Sequence, residues 1–432
     1  MRMTMPKKVE ITGNLARSSL LGRLDRMALR EEAACLRRIV DYVLAHAEPH
    51  VEHEGINQVQ RRQAMGKSSK LFVGMDVHKD SIDVATGEDA AGEVRHYGAI
   101  GGDLGAVARL ARKLESQGNA LVFVYEAGPC GLGIYRLLRA RGHQCWVVSP
   151  GMTPRSNADR VKTDRRDALK LCRLARAGEL VPVPVPDARD EAMRDLVRTR
   201  EDGVIMQRQA RQRLAALLLR NDIRYAGKTA WTAAHRRWIA ELKLPHEPQR
   251  IAFEEYVQAI DEAGGRIERL ETAIRAELEH WRWAPVVEAL EAFRGIQTIH
   301  AVRIVAELGD LARFAGARQL MAYLGLVPSE HSSGERRRQG RITKAGNSSA
   351  RRALVEAAWA YRHGARVSVI IARRQTGLPK PVTDLAWKAQ LRLCRRFRRL
   401  SARGLPKNKI VVAVARELAG FVWALGQTVR PI

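Results

Sequence analysis

Four carboxylates lie at the ends of predicted elements, where they could hold a divalent metal ion. Asp76 ends one apolar segment, Glu126 ends another, and Asp164 and Asp167 stand at the start of a predicted helix. Residues at i and i+3 share one helical face, so Asp164 and Asp167 can point into the same cleft. Mg²⁺ prefers hard oxygen ligands and keeps waters that a phosphate can displace. Two ions about 4 Å apart can activate an attacking oxygen and stabilise a leaving one. The pattern therefore predicts metal-dependent chemistry on phosphodiesters.

Each of these acids also has an ordinary structural interpretation. Asp164 can be a helix N-cap and Asp167 a first-turn acid, while Glu126 and Asp76 can be strand-end and turn residues. For any one residue the structural interpretation is favoured, whereas the four together in this order favour a metal site. His78 is interpreted as a solvated turn histidine, because hard-ion sites prefer oxygen ligands.

The elements that must position these acids follow from the hydrophobic periodicity. Strands are predicted at 71–76, 81–86, 93–100, 120–125 and 144–148, with helices at 104–116, 131–140 and 164–177. The order is βββαβαβα. This order is that of a ribonuclease-H-like domain, in which helices cover both faces of a mixed sheet.

The rest of the chain predicts a multidomain protein. Alternating prolines at 181–186 hold the backbone extended, so we expect a stiff spacer and a domain boundary there. The predicted parts are a basic extension without assigned function (1–68), a catalytic domain (69–185), a helical or coiled-coil linker (186–288) and a mostly helical C-terminal domain (289–432).

Within the linker, the predicted helices 189–220 and 259–283 carry the spacing of a helical seam. The seam consists of Ile260, Ile267, Leu270 and Ile274. An antiparallel hairpin and a dimer stalk would both use it, and the sequence leaves the two open.

Composition indicates a polyanionic partner. The 432 residues carry a formal net charge of +27 and a pI near 10.6, which favours nucleic acid. No apolar run approaches the roughly 18 residues of a membrane-spanning helix and no signal peptide is evident, so a cytoplasmic, nucleoid-associated location without a membrane is expected. Five scattered cysteines without a C-x-x-C pair argue against disulfides and structural zinc and predict reduced, mostly buried thiols.

Two sets of motifs resemble one known family. The first set is FVGMDVHK at 72–79, YEAGP at 125–129 and KTDRRDA at 162–168; the second is LGLVP at 324–328 and GRITKAGNS at 340–348, followed by Arg351. Both sets, in this order, resemble the DEDD-type insertion-sequence transposases, the Piv-like insertion-sequence 110 family, also called bridge-RNA-guided recombinases.

The resemblance implies a RuvC-like catalytic domain in which the four acids hold one or two Mg²⁺ ions, with Mn²⁺ as a substitute. It also implies that a serine of the C-terminal domain attacks DNA to form a covalent phosphoserine. Ser348 matches that nucleophile best, although Ser349 follows it and leaves the atom open. A serine hydroxyl alone is a poor nucleophile, so we expect it to reach the metal cluster across a subunit boundary. The implied partners are DNA at the element ends and target, a guide RNA, and further copies in a dimer or tetramer.

Without the resemblance, Ser348 first indicates the entry of a helix at 350–361. Asn347 or Ser348 would then cap the free amides of that helix. The same geometry binds phosphate, and Arg351 and Arg352 could clamp its oxygens. The cap and the nucleophile are compatible interpretations.

The basic residues near the C terminus are predicted to contact nucleic-acid phosphates, with a solvated surface as the alternative. They comprise an Arg-rich loop with Arg336, Arg337, Arg338 and Arg341, then Lys344, and Arg395 and Arg396 of a basic helix.

The leading hypothesis is therefore a Mg²⁺-dependent transposase or site-specific recombinase. A second hypothesis is a RuvC-like nuclease or junction resolvase, in which the acids activate water and Ser348 only caps a helix. A third is a non-enzymatic basic nucleic-acid-binding protein whose acids are structural.

Overall fold

The structure, a computed structural model, describes residues 70–89, 92–154, 163–333 and 336–432. The predictions for residues 1–68 lie outside the described residues. The chain divides into two compact units, and the boundary between them falls between Asp187 and Ala188. Each unit is described by itself.

The first unit is built on a five-stranded mixed sheet. Its strands are β1 (Lys70–Val77), β2 (Ser81–Glu88), β3 (Arg95–Gly101), β4 (Ala120–Glu126) and β5 (Gln144–Val148). They lie in the order β3-β2-β1-β4-β5, antiparallel from β3 to β1 and parallel from β1 to β5. Short turns join the antiparallel strands, whereas helical crossovers join the parallel ones, as the geometry of each pairing requires. The predicted order of elements is confirmed.

Helices cover both faces of this sheet because β1 is apolar on both sides. Its residues alternate in direction, so Val73 and Met75 pack against α1 (Leu104–Glu115) and α2 (Gly133–Ala140). Phe72 joins the opposite core with α3 (Asp164–Arg176). Because α3 packs on β1, the start of α3, which carries Asp164 and Asp167, is held close to this central strand.

The proline-alternating segment lies along the sheet rather than forming a free spacer. The backbone N–H of Val183 donates to the carbonyl oxygen of Val147 at 2.7 Å, and Pro182 forms a bridge with Val148. Val183 and Val185 also pack against the core of the first unit. An X-Pro alternation leaves every second amide free to donate, so this segment can pair along one edge of β5.

A long helical hairpin begins the second unit. It consists of α4 (Ala188–Arg220), α5 (Ala233–Glu241) and α6 (Glu247–Leu278). Arg200 of α4 donates to Glu271 late in α6 at 3.0 Å, while Gln249 early in α6 donates to Asn221 just past α4 at 2.9 Å. The two long helices are therefore antiparallel, which is one of the two arrangements left open by the sequence.

The predicted bounds of α6, 259–283, are wrong at both ends. The helix begins at Glu247 and ends at Leu278. Beyond it, the indole N–H groups of Trp281 and Trp283 both donate to the buried carboxylate of Asp190. These two bonds explain the turn that replaces the last predicted helical residues.

The remainder of the second unit is mostly helical and shares one large apolar core. Its helices are α7 (Ala284–Glu291), α8 (Thr298–Leu308), α9 (Ala317–Tyr323), α10 (Ser348–Ala358), α11 (Val369–Gln375), α12 (Lys380–Ala402) and α13 (Lys407–Thr428), with 3₁₀ turns at Leu311–Arg313 and Trp359–Arg362. A mixed α/β unit followed by a mostly helical one confirms the predicted fold class at this level.

The Arg-rich stretch, predicted as a loop, contains two strands. β6 (Pro328–Ser333) pairs antiparallel with β7 (Arg336–Ile342). The sequence of β7, RRRQGRI, has no alternation of apolar and polar residues, so the period-two signal of a strand is missing.

Helix α13 is long and apolar enough to cross a membrane, by length and composition alone. Its most apolar window has a mean hydropathy of 1.4, although 72% of that window is buried inside the protein. The sequence alone did not identify this helix as long and apolar enough to cross a membrane, because Arg416 and Glu417 interrupt its apolar run. Its burial is that of a core helix.

The cysteines of the described ranges are free thiols. Cys145, Cys172 and Cys394 are buried and Cys130 is exposed, which confirms the prediction of reduced, mostly buried thiols for these four. Burial raises the pKa of Cys145 to about 12 and that of Cys172 to about 11.

Candidate metal centre and serine helix

Asp76 and Glu126 end neighbouring parallel strands at the same edge of the sheet. The last paired residues of β1 and β4 are Met75 and Tyr125, and the two acids come directly after them. Met75 and Tyr125 are buried in the core beneath α1 and α2. Because successive side chains of a strand alternate, Asp76 and Glu126 face the opposite side, which α3 covers.

Gly74 brings α3 against β1. A Cβ atom at this position would overlap the carbonyl oxygen of Ala168 and would lie 2.5 Å from the backbone nitrogen of Cys172. Only a residue without a side chain permits this approach, and the approach carries the first turn of α3 to the end of β1.

Thr163, rather than Asp164, caps α3. The Thr163 hydroxyl accepts a hydrogen bond from the backbone N–H of Arg166 at 3.3 Å. The interpretation of Asp164 as the cap is therefore wrong, and its exposed carboxylate is not used for that purpose.

The structure brings Asp76 and Asp164 together around His78. The imidazole Nε2 lies 3.2 Å from Oδ2 of Asp76 and 3.6 Å from Oδ1 of Asp164. The three atoms that could bind a metal all lie within 4.8 Å of one another. Carboxylate oxygens suit Mg²⁺ or Mn²⁺, and an imidazole nitrogen suits Mn²⁺ better than Mg²⁺, so this donor set fits a divalent ion.

The charges around Asp76 are consistent with this arrangement. Burial raises the pKa of Asp76, the carboxylates of Asp167 and Asp164 raise it further, and His78 opposes the shift. Asp167 is therefore close enough to act on Asp76 electrostatically, but neither Asp167 nor Glu126 belongs to the three-residue cluster. A carboxylate cluster of this kind favours a bound cation.

In the second unit, Asn347 caps the helix that carries the candidate serine. Its side-chain oxygen accepts from the backbone N–H of Ala350 at 2.9 Å, so the cap is Asn347 and not Ser348. Ser348 is the first residue of α10 and is exposed. Gly346 precedes the cap with φ +64° against the carbonyl of Tyr323, where a Cβ atom would not fit.

Ser349 is held by a buried arginine. Its hydroxyl accepts from Nε of Arg303 at 2.9 Å. Only 3% of the Arg303 side chain is exposed, and its guanidinium also pairs with Glu201 of α4 at 2.9 Å and Glu356 of α10 at 3.4 Å. The two adjacent serines thus differ, since Ser349 serves an internal network while Ser348 faces solvent.

Glu307 anchors the cap of α10 to α4. Its carboxylate, 1% exposed, accepts from Nε and Nη2 of Arg198 at 2.8 and 2.9 Å and from Nδ2 of Asn347 at 2.7 Å. Burial alone would raise the pKa of Glu307, but the hydrogen bonds from Arg198 and Asn347 outweigh it and lower the pKa. The start of α10 is thereby fixed to two other helices by charged hydrogen bonds.

The predicted phosphate clamp beside Ser348 is engaged within the protein. Nη1 of Arg351 donates to the carbonyl oxygens of Leu324 and Ala345, both at 2.9 Å. Nη1 of Arg352 lies 3.6 Å from Oε2 of Glu201. Both guanidinium groups therefore have protein partners near the serine.

The other predicted basic residues differ in exposure. Arg338, Arg341, Lys344 and Arg395 are exposed, whereas Arg396 is half-buried and lies 3.1 Å from Glu417. The side chains of Arg336 and Arg337 lie outside the described residues. The exposed set is available to a polyanion.

Comparison with known proteins places both units in one family. A model described as transposase, IS116/IS110/IS902 family, matches residues 287–368, and a DEDD-type transposase model of the IS110 kind matches residues 73–221. The protein y4qE of Sinorhizobium fredii, named as a transposase, is 44% identical over 85% of this chain and 91% of its own length. The transposase for insertion sequence element IS1533 of Leptospira borgpetersenii is 32% identical over 79% of this chain and 98% of its own length.

The chain belongs to the IS116/IS110/IS902 transposase family. The resemblance inferred from the motifs is confirmed. Membership indicates an enzyme that binds, cuts and rejoins DNA, and the DEDD type suggests use of a divalent metal. The matched ranges of the transposase contain the four acids and Ser348.

Sequence reasoning gave no role to three residues of the transposase that the structure places at the two sites. His78 was interpreted as a turn histidine, although it directly follows β1, two residues after Asp76. In extended backbone this spacing points both side chains the same way. Arg303 and Glu307 interrupt the otherwise apolar helix α8. Charged residues in a buried helix are rare unless paired, and that pattern could have identified them.

Proposed function

We propose that this transposase moves its insertion sequence by cutting and rejoining DNA in a RuvC-like domain assisted by divalent ions, with Ser348 as the covalent nucleophile. The observation that carries this proposal is the convergence of Asp76 and Asp164 from separate elements to within metal-binding distance. The strand order β3-β2-β1-β4-β5, with α3 over β1, supports the RuvC-like assignment.

The residues of the first unit fit Mg²⁺ or Mn²⁺. Asp76 and Asp164 would hold the ion, and Glu126 and Asp167 would complete a site for one or two ions. When bound, such an ion neutralises phosphate charge and lowers the barrier for an attacking oxygen.

At the second site, Ser348 would attack the scissile phosphorus. As the Oγ–P bond forms, the P–O bond to the leaving strand breaks. The proton that the serine hydroxyl loses is balanced by one that the leaving oxygen gains, which gives a free hydroxyl end. A hydroxyl of another strand reverses the exchange, so rejoining requires no external energy. The free amides and dipole at the start of α10 would stabilise the phosphate charge beside Ser348.

Nucleic-acid binding in this proposal uses the basic surface. The net charge of +27 supports contact with DNA and with an element-encoded guide RNA, through the exposed Arg338, Arg341, Lys344 and Arg395. Assembly as a dimer or tetramer, with the serine of one copy serving the metal cluster of another, and a nucleoid location complete the proposal.

Trapping tests the nucleophile. Purified protein with Mg²⁺, co-purified RNA and the flanking DNA should give a protease-sensitive DNA adduct with the wild type and with Ser349→Ala, but none with Ser348→Ala. Asp76→Asn and Asp164→Asn should abolish the adduct while the protein stays folded.

The other outcomes separate the competing functions. Cleavage that persists in Ser348→Ala, without any adduct in the wild type, would assign a hydrolytic RuvC-like nuclease. DNA processing that is unchanged in Asp76→Asn would leave the acids a structural role only.

A further inference from the structure

A groove in the second unit combines an apolar floor with a basic rim. It lies between the β6–β7 hairpin and the helices α12 and α13 and has a volume of about 870 Å³. Leu326, Val412, Ala413 and Phe421 contribute to the floor. We call this feature the basic groove.

The rim of the basic groove carries a large excess of positive charge. Six basic side chains line it against one carboxylate, that of Glu417. Glu417 is already committed, because it pairs with Arg392 at 2.9 Å and Arg396 at 3.1 Å. Across the described ranges, no carboxylate pairs with the other four cations, which are Arg341, Lys344, Lys409 and Arg416.

The positive rim, the apolar floor and the volume of the basic groove together indicate what kind of molecule it binds. A second copy of a chain with net charge +27 would be repelled by the rim. A duplex offers phosphates to the rim but hides the apolar faces of its bases. A strand with unpaired bases offers both, since its phosphates bind cations and its base faces can lie on an apolar floor. The volume falls within the roughly 300–1,000 Å³ typical of small-molecule sites, so it suits nucleotides rather than a helix.

We propose that the basic groove binds unpaired nucleotides of a single-stranded segment, with bases on the floor and phosphates at the rim. The proposal rests on the proposed function for the kind of partner, a nucleic acid, and for the rim cations Arg341 and Lys344, which belong to both. It adds recognition of bases to the phosphate contacts that the basic residues alone would give. Unpaired RNA and unpaired DNA offer the same chemistry, and the test separates them.

The test compares binding of intact and abasic strands by the full-length protein. Fluorescently labelled DNA and RNA oligonucleotides, single-stranded and of equal length and charge, are titrated at one fixed salt concentration, because phosphate contacts depend on salt. We expect the wild type to bind an intact strand roughly tenfold more tightly than its abasic counterpart. The strand type with the larger ratio, RNA or DNA, identifies the ligand.

Variants connect that ratio to the groove. Ala413→Phe fills the groove from a half-buried position on α13 and should reduce the ratio to about one. Ala402→Phe, an exposed alanine outside the groove, is its control and should keep the ratio. Val412→Thr keeps the size of the floor but makes it polar, so it should give a ratio between that of the wild type and one. This variant tests the floor even if Ala413→Phe perturbs folding. Arg416→Gln should weaken binding of the intact and the abasic strand alike, because the rim contacts phosphates and both strands carry them. Arg373→Gln, at an exposed arginine outside the groove, removes the same charge and should weaken binding less.

Two results would overturn the proposal. The first is a wild type that binds intact and abasic strands equally. The second is an Ala413→Phe protein whose oligomeric mass changes in light scattering while its strand ratio does not, which would assign the groove to a second copy. Adduct formation at Ser348 is measured on the same variants, so failure of the groove and failure of the nucleophile remain distinguishable.

Discussion

Gly74 of β1 and Cys172 of α3 are in contact through their backbones. A Cβ atom on Gly74 would lie 2.5 Å from the backbone nitrogen of Cys172. This contact determines how close the first turn of α3 comes to the end of β1. The separation of Asp164 from Asp76 therefore depends on a residue that touches neither.

Gly74→Ala should displace α3 and weaken metal binding. The added methyl group meets backbone atoms, which cannot move aside, so we expect a loss of about 2 kcal/mol in the free energy of unfolding. Mn²⁺ titration followed by electron paramagnetic resonance, together with thermal unfolding, measures both effects. Gly133→Ala is the control, because its Cβ would meet its nearest neighbour at 3.6 Å, an ordinary contact. Unchanged Mn²⁺ affinity in a destabilised Gly74→Ala protein would separate the helix contact from the metal centre.

Replacement of His78 should change metal affinity less than replacement of Asp76. Nε2 of His78 lies between two carboxylates, so it either binds the ion or orients the groups that do. We expect His78→Ala to lower Mn²⁺ affinity roughly tenfold, the effect typical of orienting residues. Calorimetric titration measures it, and Asp80→Ala, an exposed acid of the same turn, is the control. Equal affinities for His78→Ala and the wild type would return His78 to the role of a turn residue.

The fold of the first unit was accessible from the sequence because each element there has its own periodicity. The strand 144–148 was predicted with the bounds of β5, and α3 begins at Asp164 as predicted. The hairpin β6–β7 was not predicted, since its second strand owes its position to backbone pairing rather than to an apolar face. Hydrophobic periodicity identifies strands and helices that bury one face, and it does not identify elements such as β7 that have no apolar face.

The candidate sites follow the same division. The spacing of the acids indicated that Asp76 and Asp164 would converge, and they do. The roles of Arg303 and Glu307 depend on partners at least forty residues away in sequence, such as Asn347 and Arg198, and no local pattern specifies such pairings. Likewise, the sequence did not show that Ser349 is bonded within the protein while Ser348 is exposed. This difference depends on the position of the Arg303 guanidinium, which is distant in sequence.

Arg303→Lys should disturb the serine helix through Ser349. Lysine keeps the charge but cannot bond Ser349, Glu201 and Glu356 together, so buried groups lose partners at a cost of about 3 kcal/mol. We expect slower adduct formation at Ser348, measured under single-turnover conditions. If the effect passes through Ser349, then Ser349→Ala should add little in the Arg303→Lys background. Additive losses in the double variant would show that Arg303 acts by another route.

Glu307 should make the stability of the second unit depend on acid pH. Its pKa in the folded protein lies below the ordinary value of 4.5, because Arg198 and Asn347 bond the carboxylate. Its stabilisation is therefore fully present above pH 4.5 and is lost as the pH falls through the lowered pKa.

Glu307→Gln tests this dependence. Glutamine cannot pair with Arg198 as an anion, so the variant should be less stable at pH 7, by about 2 kcal/mol given that Arg198 is half exposed. Urea unfolding at intervals from pH 7 to pH 3 should show this difference shrinking in acid, where the wild-type carboxyl becomes neutral as well. Glu288→Gln, an exposed acid, is the control and should show no such trend. A difference that stays constant over the whole range would mean that the carboxylate charge of Glu307 does not hold the cap of α10.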